Sequence, residues 1–152
     1  MTEDDNVTSI WKNKVVAEVG GRVDRTSATV ALYGDELDPD ELTATLGCLP
    51  SHAHRRGDRK PHNPPWETGA WLVTMEGEPD QDPESLLVSL LERLPQEADT
   101  WRGLSRRFRI SVGIGLFLSD WNRGFELSSD CLRRVLLTGA SLDFDIYANG
   151  LG

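Results

Sequence analysis

Residues 109–118 show the clearest alternation in the chain: Ile110, Val112, Ile114 and Leu116 fall on one side of an extended chain, and Ser111, Gly113 and Gly115 fall on the other. Successive side chains of a strand point to opposite faces, so this stretch reads as a strand with one apolar and one polar face. A strand covered on both faces reads instead as a continuous apolar run. Leu142, Phe144 and Ile146, alternating with Asp143, Asp145 and Tyr147, repeat the pattern, and residues 71–75 give a third example. The chain is therefore expected to form an α+β two-layer sandwich. Its sheet would be mainly antiparallel, with four to five strands and about three helices on one face. A doubly wound parallel sheet is the runner-up.

Between the strands the sequence marks helix starts and stops. Ala28, Val30 and Leu32 form one face of a strand that ends at Gly34. Asp38 is a good N-cap, Pro39 suits the first helical position, Glu41 completes a capping box, and Gly47 is the stop. Asp82 and Pro83 open a second helix with a stripe of Leu86, Leu87, Leu90, Leu91 and Leu94. Pro95 interrupts it, and a further helical segment carries Ala98, Trp101 and Leu104. Leu127, Ser128 and Leu132 form a hydrophobic staple around an N-cap, opening a helix that runs to Gly139. Residues 48–65 hold Pro50, Gly57, Pro61, Pro64 and Pro65 and are expected to carry no regular structure. Residues 1–13 read as a flexible N-terminus and residues 14–152 as a single α+β domain. Within the latter, 14–23 is a candidate first strand whose alternation breaks at Val15-Val16 and stops at Gly20-Gly21.

A length of 152 residues suits one core. The formal charge of −9 is uneven: residues 1–50 carry ten acids against four bases. Two basic stretches run the other way, Arg55, Arg56, Arg59 and Lys60, and then Arg102, Arg106, Arg107 and Arg109. Phosphate contacts need clustered Lys and Arg, so a net acidic domain is a poor general binder of nucleic acid. No apolar run approaches the roughly 20 residues needed to span a bilayer, and residues 1–20 do not read as a secretory leader. Two cysteines, Cys48 and Cys131, supply neither a disulfide framework nor a metal knuckle. The expected setting is cytoplasmic, with no membrane partner and no cofactor.

The polar clusters each have a functional and a plain reading. His54, Arg55, Arg56 and Lys60, in the loop 52–62, form a candidate anion or ligand site. A metal on His52, His54, Asp58 and His62 is disfavoured by the cations among them. Asp35, Glu36 and Asp40 could dock a basic protein, although caps and the helix dipole explain much of that acidic run. Trp121, Asn122 and Arg123 follow the 109–118 strand as a turn and pair an interface-type Trp with an Arg. Asp143 and Asp145 could do acid–base work but read first as the polar face of a strand. Cys131 lies in a first helical turn, where a thiol pKa can fall, but no base accompanies it. Gly113-Ile114-Gly115 lacks the spacing of a phosphate loop and reads as strand glycines that allow close packing. No catalytic residue and no metal site is assigned.

Several ordered segments carry a family resemblance. They are residues 34–41 leading into Leu46-Gly47, Pro50 and 54–58, then Gly69-Ala70-Trp71, residues 125–128 and residues 139–147. Over about residues 28–148 this set resembles the bacterial family catalogued as domain of unknown function 4279. The resemblance implies a small bacterial domain and brings no catalytic residues with it. The expected function is a non-catalytic binding protein with a protein partner. Its specific form would be an immunity-type inhibitor that occludes a toxin sterically and electrostatically. The alternative is a small-molecule or anion-binding domain, or an enzyme, that uses the basic 52–62 loop. A homo-oligomer joined through the sheet face or an edge strand is a third reading; the oligomeric state stays open.

Overall fold

The computed structural model describes residues 23–119 and 123–148. Residues 1–13, expected to be flexible, and nearly all of the candidate first strand at 14–23 therefore lie outside the described residues. Five strands and four helices follow in order. They are β1 (Arg25–Gly34), α1 (Pro39–Leu46), β2 (His52–His54), β3 (Gly69–Glu76), α2 (Pro83–Glu92), α3 (Ala98–Arg107), β4 (Arg109–Leu118), α4 (Ser129–Leu137) and β5 (Ser141–Ala148). The sheet order is β2-β3-β1-β4-β5. Three pairings are antiparallel, and β5 runs parallel to β4. The parallel pair needs a crossover, and α4 supplies it. The expected α+β class, with a mainly antiparallel sheet, is the one found.

The alternation sets the two layers. Ala28, Val30 and Leu32 of β1, Trp71 and Val73 of β3, and the isoleucine–valine set of β4 are buried together. Against them pack Leu42 and Leu46 of α1, the leucines of α2, Trp101 and Leu104 of α3, and Cys131 and Val135 of α4. Each buried indole finds an acceptor: Trp71 Nε1–H donates to Thr43 Oγ1 at 3.1 Å and Trp101 Nε1–H to the Pro95 carbonyl at 2.7 Å. The helices thus lie on one face, and among the described residues no element packs on the other, open face of the sheet.

The caps form as the sequence implies. Asp38 accepts from Asp40 N at 3.0 Å, Asp82 from Ser85 N at 3.2 Å, and Ser128 from Cys131 N at 3.2 Å. Gly47 closes α1 in the left-handed region, with φ 65°. Two expectations are corrected. The carboxylate of Glu41 does not complete a capping box; Arg107 takes both its oxygens, at 2.5 and 3.1 Å. A two-pronged bond to a guanidinium is stronger than one to a single neutral N–H. The stretch 48–65 does contain a strand. Residues 51–60 hold no proline, so Ser51 N can donate to Leu72 O at 2.8 Å and His52–His54 can line the edge of β3.

Candidate functional site

The acidic run and the basic loop, widely separated in the sequence, meet at the start of α1. Arg55 Nη2 lies 2.9 Å from Asp38 Oδ1 and 3.7 Å from Asp40 Oδ2, and Arg56 Nη1 lies 3.2 Å from Asp35 Oδ2. From the second basic stretch Arg107 reaches Glu41, Arg102 pairs with Asp99, and Arg109 stacks over Tyr33. Asp35 and Asp40 are thus joined to the arginines of the candidate anion site, while Glu36 is exposed. The Arg107 hydrogen bonds hold the Glu41 carboxyl below the usual carboxylate range, against the cost of burial. Burial pushes the Asp38 carboxyl up, but the Asp40 N–H and the Arg55 guanidinium outweigh it, so that group is lowered too.

The rest of the loop is closed on itself. Trp66 stacks on His54 with ring centroids 3.8 Å apart, and Lys60 Nζ sits 3.9 Å from the Trp66 centroid. His54 Nε2 lies 3.0 Å from the Thr68 carbonyl, which can only accept, so Nε2 carries the proton. Its Nδ1 then accepts from His52 Nε2–H at 2.9 Å. Burial pushes the His54 pKa down, in keeping with a neutral ring. His54, Arg55, Arg56 and Lys60 therefore all have intramolecular partners, and the loop acts as a clasp on the N-terminal end of α1. Among the described residues no group of three or more His, Cys, Asp or Glu is placed to hold a metal ion. Cys131 is buried and its thiol pKa is raised by that burial. Arg123 lies 3.9 Å from Asp24, while Trp121 and Asn122 lie outside the described residues.

The described concavity lies on the open sheet face, with a volume of about 460 Å³. Its geometry follows from the strand register. Thr29 of β1, Gly113 of β4 and Asp143 of β5 form one rung, and Ser27, Gly115 and Asp145 form the next. Two glycines thus make a trough between hydroxyls on one side and carboxylates on the other. At one end Arg25 sits 4.2 Å from the ring centre of Phe117, which stacks on Tyr147 at 4.9 Å. At the other end Arg109 lies 4.6 Å from the Tyr33 ring centre. Eight residues separate these ends, so the trough is about 26 Å long and about 10 Å wide.

The floor glycines differ in kind. A Cβ on Gly115 would meet Ser27 Oγ, so the serine hydroxyl would have to turn aside. A Cβ on Gly113 would meet nothing within 4 Å, and the residue has no left-handed φ to require it. An interior glycine weakens a strand and often marks a place where a ligand or another backbone approaches closely. Asp143 accepts from the hydroxyls of Ser111 and, at 3.3 Å, Ser141, whereas no bond to Asp145 forms among the described residues. Among the described residues neither imidazole nor thiol lines the trough. It offers hydrogen bonds, charge and flat aromatic surface. The strand residues were visible in the sequence; their assembly into a trough was not, because it depends on the β1-β4-β5 order.

No described helix is long and apolar enough to cross a membrane. No curated protein and no solved structure matches the chain. The family model described as "Domain of unknown function (DUF4279)" matches residues 24–149, most of the chain and all five strands, and the protein belongs to that family.

Proposed function

We propose that this is a non-catalytic binding protein whose protein partner lies across the open face of its sheet. The observation that carries this reading is Gly113: a strand-interior glycine that no neighbour requires, on the floor of a trough with Asp143 and Asp145 along one side. A partner's backbone can approach closely there, and the rings of Tyr33, Phe117 and Tyr147 supply flat, low-entropy contact area at the two ends. An immunity-type inhibitor is the specific form of this reading that a small domain of charge −9 suits. Its electrostatic contact would then come from Asp143 and Asp145, since the acidic run at 35–41 already faces arginines. The unpaired thiols of Cys48 and Cys131 fit a cytoplasmic setting. An anion site on the 52–62 loop would first have to release Arg55 and Arg56 from their carboxylates.

Capture from the native cell by the tagged wild-type chain and by Gly113→Val tests the proposal. The partner should be retained by the wild type and lost with Gly113→Val. Equal retention by both, or no retained partner, counts against it.

A further inference from the structure

Exposed apolar surface gathers at one edge of the sheet. Of the six large hydrophobic side chains exposed among the described residues, five lie on α4 and β5. β5 ends the strand order, so among the described residues no strand pairs with its outer N–H and C=O groups. Its register with β4 puts Phe144 beside Ile114 and Ile146 beside Leu116, on the helix side. Phe144 is 43% and Ile146 61% exposed there, whereas their β4 neighbours are buried.

α4 carries that surface past the edge. Arg134 Nη2 lies 3.9 Å from Glu92 Oε1 of α2, and α2 packs on β1, so this side of α4 faces inward along the sheet. Residues two apart on a helix stand about 200° apart around its axis. Leu132 and Leu136 therefore point the other way, over the free edge of β5, and both are exposed. The helix layer roofs the position that a further strand would take, roughly 5 Å beyond β5.

We propose that this edge receives an extended segment of a partner protein, in which apolar residues alternate with Lys or Arg, as a sixth strand beside β5. An open edge is a template for such a strand, and main-chain pairing supplies the attachment. Its apolar side chains cover Phe144 and Ile146 beneath Leu132 and Leu136. Its bases lie on the open side, next to Asp143 and Asp145, where opposite charges on adjacent strands attract. Asp145 accepts no bond among the described residues, and Asp143 holds Ser111 and Ser141 through Oδ2, leaving Oδ1 for a base. The contact goes beyond the trough, because it does not use the Gly113 floor.

The same acids oppose a second copy of the chain. Two β5 strands paired antiparallel set Asp143 opposite Asp145, and a shift of two residues either way sets one of them opposite its own copy. Directly opposed like charges destabilise a sheet.

The full chain and a capped peptide of four Lys-Val repeats, as long as β5, test the proposal, with four Glu-Val repeats as control. Amide exchange and NMR shifts locate the contact. The Lys-Val peptide should slow exchange of the outward β5 amides at least about tenfold, and the Glu-Val peptide should bind on the order of tenfold more weakly. Asp145→Lys should invert that preference. Ile146→Lys and, separately, Leu136→Lys should weaken the Lys-Val peptide at least about fivefold. Gly113→Val should leave its binding unchanged; a loss there would place the peptide in the trough, overturning the edge pairing while leaving the trough reading intact. No binding of the Lys-Val peptide, or equal binding of both peptides, overturns the proposal. So do outward β5 amides already protected in dilute protein without peptide, and protection that rises with protein concentration alone.

Discussion

Replacing Gly113 with valine should make the protein more stable and less able to bind. Glycine inside a strand costs roughly 0.5–1 kcal/mol relative to alanine, because the unfolded chain loses more freedom on folding. Valine adds a β-branched side chain suited to a pleated surface. The site can accept it: its Cβ position has no heavy atom within 4 Å. The cross-strand neighbour is Thr29, whose hydroxyl lies 2.8 Å from that of Thr74, so the new methyls would pack beside an ordered rung. The expected gain is about 1 kcal/mol, or a melting temperature higher by about 2–4 °C for a domain of this size. Thermal unfolding followed by circular dichroism reads the gain, and partner capture reads the loss. Gly34→Ala is the contrasting control, because its Cβ would come within 2.7 Å of the buried Phe108 ring and should destabilise. A lower melting temperature for Gly113→Val would mean that the glycine is structural. Undiminished capture would mean that the trough is not the site.

Three other outcomes are expected. Among the described residues the buried Thr26 hydroxyl has no hydrogen-bond partner, so Thr26→Val should raise stability by about 1 kcal/mol in urea denaturation; a loss would show that the hydroxyl has a role. Under native conditions a thiol reagent should titrate one cysteine, the half-buried Cys48. Cys131 should react only on unfolding, and fast modification of both would contradict its burial. Because burial depresses the His54 pKa, protonation favours the unfolded chain. This contribution to stability is complete above about pH 6.5 and is lost as pH falls through the lower folded value. Denaturation midpoints from pH 7 to 5 should fall less steeply for His54→Gln than for the wild type. Matching slopes would refute the assignment.

The layers were legible because they follow from local rules. Alternation at 110–116 can satisfy only a sheet with one covered face, and Asp38-Pro39, Asp82-Pro83 and Ser128 mark helix starts by the hydrogen bonds they accept. What the sequence hid is long-range. The partners of Arg55, Arg56 and Arg107 lie 17, 21 and 66 residues away, so two neutralised clusters read as two charged sites. Glu41 looked like a capping residue for the same reason. The trough was hidden because Gly113 meets Asp143 only through the parallel β4–β5 register. One signal for it was present: a glycine in the middle of the cleanest strand in the chain.

The most direct measurement is the amide footprint of the captured partner on the wild-type protein, by hydrogen exchange or NMR shifts. Perturbation should centre on residues 27–33, 111–117 and 143–147, across three adjacent strands. A footprint confined to residues 35–41 and 52–62 would contradict the account and return the binding role to the acidic helix start and its clasp.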